Sequence, residues 1–434
     1  MKPRINSRCT RADIIVLRNL IQENHDNLGS ESCKQDEGHP QEEKVTCQND
    51  GSIDLESTQQ AIALLEACND HNSDQFEPTI FTSFDVKDFP HFFNVYLVNP
   101  YAKIARRVVR HPTDVVFLTH LIQYMTINLG SAILLFHRFS YPHACIHAVY
   151  TVWCIGAFTL LMHNHIHNNG VLVNDWAWLD KCFPYVLGPL MGHTWDSYYY
   201  HHVKHHHVEG NGPDDLSSTV RYQRDDLFHF LHYYLRFLLL VWLELPLYFI
   251  KKRKTNLALR AFTSEVSSYI FFYTMTKLHP RASTFVFLLP FAILRLGLMV
   301  GNWGQHALVD ELDPNSDFRT SVTIIDVMNR ACFNDGYHTA HHLNPLRHWR
   351  DQPVHFLKSK AAYLNGKALV FHDIDWFVMT IKLLQKDYMY LADRLVPIGD
   401  QKSMSKAELA DMLRTKTKKF TEDDIRIKFK SLAR

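Results

Sequence analysis

The chain has 434 residues, room for one large domain or two ordinary ones, and its 46 Lys and Arg nearly cancel its 45 Asp and Glu. That balance argues against a nucleic-acid binder, which would carry a basic excess. Eight cysteines with no CxxC pair support neither a disulfide framework nor a thiolate zinc site, whereas histidine stands out at 28 residues.

A mean hydropathy of −0.19 hides a split along the chain. Residues 1–80 are polar, and the run "ENHDNLGSESCKQDEGHPQEEKVTCQND" has the composition of a disordered segment. Residues 81–360 carry long apolar runs and read as a membrane domain. Residues 361–434 are mixed, end in a charged tail, and read as a cytosolic helical region.

The first apolar run, "DVVFLTHLIQYMTINLGSAILLF" (114–136), and the second, "PHACIHAVYTVWCIGAFTLLM" (142–162), each suit a hydrocarbon core of roughly 30 Å. Only "HRFSY" separates them, which predicts a helical hairpin. Arg106, Arg107 and Arg110 precede it, so the positive-inside rule puts the N-terminus and residue 163 in the cytosol. The first apolar run starts past residue 110 and the N-terminus is acidic, so neither a signal peptide nor a transit peptide is expected.

Three later runs compete: 227–250, 262–278 and 283–300. The cluster Lys251, Lys252, Arg253 and Lys254 should be cytosolic. That favours 227–250 lying along the interface or re-entering, with 262–300 as the second hairpin around "LHPRA". Glu265 speaks for the other pairing, 227–250 with 283–300. Either way the expected fold is an all-α membrane protein, with about four transmembrane helices in two hairpins and a cytosolic helical cap.

Histidines gather at the ends of these runs. In "HNHIH", His163 and His167 are four apart and share a helical face, with His165 pointing away. In "HHVKHHH", helical spacing selects His202, His205 and His206 over His201 and His207. "HTAHH" repeats that spacing with His338, His341 and His342, and "NWGQH" offers Asn302 and His306. A single transition ion accepts about six donors at most, so these nine imidazoles imply two ions. Imidazole donation alone suits iron, copper, zinc or nickel. Glu209, Asp214, Asp215, Asp310, Glu311 and Asp335 are candidates to orient the rings through their second nitrogens, Asp335 first among them.

The order H-x-x-x-H, H-x-x-H-H and a distant H-x-x-H-H, interleaved with hairpins over roughly residues 110–350, resembles the integral-membrane fatty acid desaturases and their hydroxylase relatives. The resemblance implies two non-haem iron ions on the cytosolic face. It implies O2 as co-substrate, electrons from cytochrome b5 or ferredoxin, and a lipid acyl substrate. "NWGQH" resembles the element in the acyl-CoA branch whose histidine binds iron and whose asparagine acts through water, which carries over to His306 and Asn302. With Asp335, Asn302 completes the candidate catalytic set. No H-P-G-G motif of a fused cytochrome b5 domain is present, so the donor is expected to be a separate protein. The N-terminus favours the endoplasmic reticulum, with both termini cytosolic.

Two other readings stand beside this one. A fatty acyl or sphingolipid hydroxylase would use the same site. A His-rich zinc transporter or sensor would instead put its histidines at mid-membrane.

Overall fold

The computed structural model describes residues 9–32, 57–84, 86–326 and 329–429. It is about 68% helical with almost no sheet, an all-α membrane protein. Within the N-terminal region expected to lack structure, α1 (Arg11–Ser32) and α2 (Thr58–Asn69) are helical. The reason is a short apolar stripe: Ile15, Val16, Leu17 and Leu20 of α1 bury against Ala61 and Leu65 of α2. A capping box, Ser57 with Gln60, starts α2. Residues 33–50 of the quoted polar run lie outside the described residues.

The first hairpin is α3 (Val115–His137) and α4 (Tyr141–Asn168). On α4 the positions Ala144, Ala148, Thr151, Ile155, Phe158 and Met162 are buried at helical spacing. Ile146, Val149 and Trp153 on the opposite face are 69%, 72% and 77% exposed, a side suited to lipid and not to water. Asn169, in the left-handed conformation (φ 53°), ends α4 two residues after His167.

By length and composition four helices could cross a membrane: α3, α4, α5 (Leu227–Lys251) and α7 (Pro280–His306). The contacts single out α5. Its Tyr233 hydroxyl accepts a hydrogen bond from Asn302 at 2.7 Å. Fifteen residues later Tyr248 stacks on His205 at 4.2 Å, and Lys252 pairs with Glu209 and Asp214 at 3.2 Å. Both halves of α5 therefore touch the histidine-bearing face, and the helix runs along that face. By contact α6 (Thr255–Leu278) forms the second hairpin with α7, Phe272 packing on Phe287 and Phe291, although α6 is not among the four helices apolar enough to cross. The turns of the two hairpins share the opposite side, where the Phe136 and His279 rings lie 5.5 Å apart. Glu265, which counted against α6, is paired with Arg295 of α7.

The rest of the chain caps the histidine face. Strands β1 (Val322–Ile325) and β2 (Leu369–His372) form a parallel pair, fully buried. The Ile324 N–H donates to the Gly336 carbonyl and so fixes the approach to α8 (His338–Leu343). Arg224, fully buried, donates to the carbonyls of Ala307 and Lys416 and ties the C-terminal segment to the end of α7. Gly304 lets α7 approach the backbone at Trp376, where a Cβ would meet the carbonyl oxygen at 2.7 Å.

Candidate metal centre

Four pieces of chain meet on this face: the last turns of α4 and α7, the segment 199–207, and α8. Helical spacing delivers His163 and His167 from α4, whose rings are 4.7 Å apart. The segment Tyr199–His206 is not an ordinary α-helix. It is a π-helix, in which the His207 N–H bonds back to the His202 carbonyl. The longer turn carries residue i+5 to the face of residue i. His202, His206 and His207 therefore point together, where α-helical spacing had selected His202, His205 and His206.

Two groups result. His163, His167, His202, His207 and His341 place one ring nitrogen each within 4.8 Å of one another, and His206, His306 and His342 do the same. His338 joins the second group, its Nε2 being 3.1 Å from Nε2 of both His306 and His342. His205 is in neither group. It stacks on Tyr248 and accepts a hydrogen bond from the Leu216 N–H at 3.1 Å. His165 faces Phe183 and lies 3.8 Å from Asp180, and His201 packs on Phe237.

The nitrogen spacings test whether the rings suit a common cation. Nε2 of His341 lies 3.0 Å from His163 and 2.9 Å from His207, and His207 lies 3.0 Å from His202. One ring nitrogen carries either a proton or a lone pair, so it cannot hydrogen-bond fully to two such neighbours. Two nitrogens bound at right angles to an ion about 2.1 Å away are separated by about 3.0 Å. His167 Nε2 is buried and has no hydrogen-bond partner among the described residues, which suits a metal donor. The residues therefore fit a pair of imidazole-bound transition ions.

The other nitrogens are held in place. Asp215 Oδ2 accepts from His206 Nδ1 at 2.7 Å, and the Thr320 carbonyl accepts from His306 Nδ1 at 2.8 Å. Asp335 Oδ1 is 3.6 Å from His163 Nδ1, and Asp317 is 4.0 Å from His342 Nδ1. Each contact favours the tautomer that leaves Nε2 free for a metal. Among the carboxylates proposed from sequence, Asp215 makes the closest contact with a ring. Glu209 and Asp214 serve Lys252, Asp310 serves Lys416, and Glu311 lies 3.9 Å from Lys428. Burial, then neighbouring imidazoles, holds His202, His207, His338, His341 and His342 well below the usual histidine value, in the neutral form that ligation needs. Burial likewise pushes the Asp335 carboxyl up to about 7. Asn302 donates from Nδ2 to the Ser217 carbonyl at 2.8 Å and to Tyr233.

A cavity of about 1280 Å³ opens onto this face. His163, His202, His206, His338 and Asn302 are part of its lining. Along α4 the buried part of the lining runs from His163 through Thr159 to Ile155, roughly 12 Å down the helix axis at 1.5 Å per residue. Tyr198 is wedged between His193 and His202, with ring centroids 5.3 and 5.1 Å away. His193 is buried in the cavity wall and hydrogen-bonds Thr159 at 3.2 Å.

Fold and site together define a membrane protein with paired histidine clusters lining a large, mainly apolar cavity. The family model described as fatty acid desaturase matches residues 138–372, and the chain belongs to that family. No curated protein and no solved structure matches it.

Proposed function

We propose that this protein is an O2-dependent acyl-lipid desaturase with two iron ions, which introduces a double bond into an acyl chain. The family is generally di-iron dependent. The observation that carries the reading is that both histidine groups contribute to the lining of one large cavity. One ion would be held by His163, His167, His202, His207 and His341, the other by His206, His306, His338 and His342. Iron bound there supplies the O2 chemistry needed to break an aliphatic C–H bond, which no side chain can provide.

The chain's own residues supply the rest. Asp215 and the Thr320 carbonyl hold the protons on Nδ1 of His206 and His306 and so aim Nε2 inward. Asn302, Tyr233 and the Ser217 carbonyl brace the rim beside His306. Leu160, Ile155, Leu294 and Met299 line the cavity with hydrocarbon. They lay a long chain past the histidines and keep bulk water out.

Basic residues support a cytosolic histidine face. Arg110 donates to the Asn168 carbonyl at 2.6 Å, and Lys252 reaches Glu209, so both basic clusters lie on the histidine side. We place the protein in the endoplasmic reticulum, with both termini cytosolic and a separate cytochrome b5 or ferredoxin as electron donor. The histidine groups sit at helix ends, not at mid-membrane, which disfavours a zinc-transport path.

The test is expression in a host of known lipid profile, comparing wild type with His341→Ala. Products two hydrogens lighter than the substrate, absent with the variant, support the desaturase. A gain of one oxygen would make the enzyme a hydroxylase, and no new lipid would refute both.

A further inference from the structure

An ion pair stands in the wall of the apolar cavity. Arg295 Nη2 donates to both carboxylate oxygens of Glu265, at 2.9 and 3.1 Å, and to Thr194 Oγ1 at 3.1 Å. Glu265 lies ten residues into α6, about 15 Å from its start, near the middle of the second hairpin. Charged groups at such depth are costly and rare, and they pair or face a cavity that uses them.

These groups do both. Glu265, Arg295 and Thr194 all line the cavity, as do Ser197, His193 and Thr159. A staple between helices would need only the pair itself, sealed between α6 and α7. The guanidinium is also half used. Every hydrogen bond it makes runs through Nη2, so Nη1 and Nε have no hydrogen-bond partner among the described residues. Yet Arg295 is only 6% exposed, and the rings of Phe237 and Phe291 pack against the guanidinium. These donors are not sealed in protein, so an acceptor inside the cavity can reach them.

The charge balance narrows the ligand. Glu265 already neutralises Arg295, so a carboxylate or phosphate would bring an unmatched negative charge into the membrane interior. A neutral oxygen would not. Along α7, Arg295 is eleven residues from His306, about 16 Å at 1.5 Å per residue.

We propose that the cavity selects acyl chains bearing a neutral oxygen function, a hydroxyl or a keto group, which Arg295 binds at a fixed distance from the histidines while Glu265 holds the guanidinium in place. This rests on the acyl-lipid reading above for the nature of the chain, but not on the reaction performed.

The test is binding to the full-length protein in nanodiscs, by displacement of a fluorescent fatty acid. The competitors are stearic acid and a series of hydroxystearic acids differing only in hydroxyl position. One charge-assisted hydrogen bond corresponds to about tenfold or more in affinity. The wild type should bind one isomer at least about tenfold more tightly than stearic acid, and isomers far from that position should lose the advantage. Arg295→Lys keeps the charge pair but removes the idle donors, and should bring the ratio close to one. The wild-type series decides even if the variant does not fold. Equal binding of stearic acid and every isomer would overturn the proposal, as would a preference that survives in Arg295→Lys. Product formation is scored separately: wild type that shows the binding preference but leaves stearic acid unaltered supports the anchor and counts against the desaturase reading alone.

Discussion

The assignment of His207 in place of His205 can be tested by exchanging their fates. His207→Ala removes a ring whose Nε2 lies 2.9 Å from that of His341 and 3.0 Å from that of His202. Loss of an outer contact to a ligand typically costs 10–100-fold in metal affinity, so loss of a direct donor should cost at least about 100-fold. His205→Phe should behave differently. The stack on Tyr248 survives, while the Leu216 N–H loses its acceptor, a cost of about 1–3 kcal/mol in stability with no loss of metal. The assay is iron per chain after equilibration with a competing chelator, alongside a denaturation curve for each variant. If His205→Phe loses iron while His207→Ala keeps it, the π-helical reading of the second box is wrong.

Three further outcomes are expected. Asp215→Asn weakens the 2.7 Å contact to His206 Nδ1, and iron retention should drop about 10–100-fold for one ion of the pair, read as half the iron leaving at low chelator. Arg224→Leu leaves the carbonyls of Ala307 and Lys416 without their donor, and should destabilise the protein by about 3 kcal/mol or more; limited proteolysis should then release the C-terminal segment first. Asp196 is raised to about 6 by burial, from an ordinary carboxylate value near 4. Because its folded-state value is the higher, the folded form takes up the proton first. Wild type should therefore gain stability as pH falls from about 6 to 4, by at most about 3 kcal/mol and less after solvent screening. Asp196→Asn, at a position whose φ of 53° suits Asn, should lack that pH dependence and be more stable at pH 7.

Much of the site was legible because helices translate spacing into direction. His163 with His167, and His338 with His342, lie on ordinary helical turns, and their rings sit side by side as four-residue spacing expects. The second box misled for a local reason. A π-helix shifts the face by one residue, and "YYHHVKHH" carries no feature that announces it. Of the candidate carboxylates, Asp215 could not be singled out, because its turn back onto His206 depends on the loop 209–217. Glu265 was legible as an anomaly in an apolar run, but its partner is thirty residues away on the next helix. The N-terminal helices were hidden by composition: four apolar residues in α1 suffice once a docking face exists.

The most direct test of the two-ion site is metal analysis of the purified full-length protein. This account predicts two irons per chain in the wild type, falling in His341→Ala. Zinc in place of iron, or a single ion per chain that His341→Ala leaves bound, would contradict it.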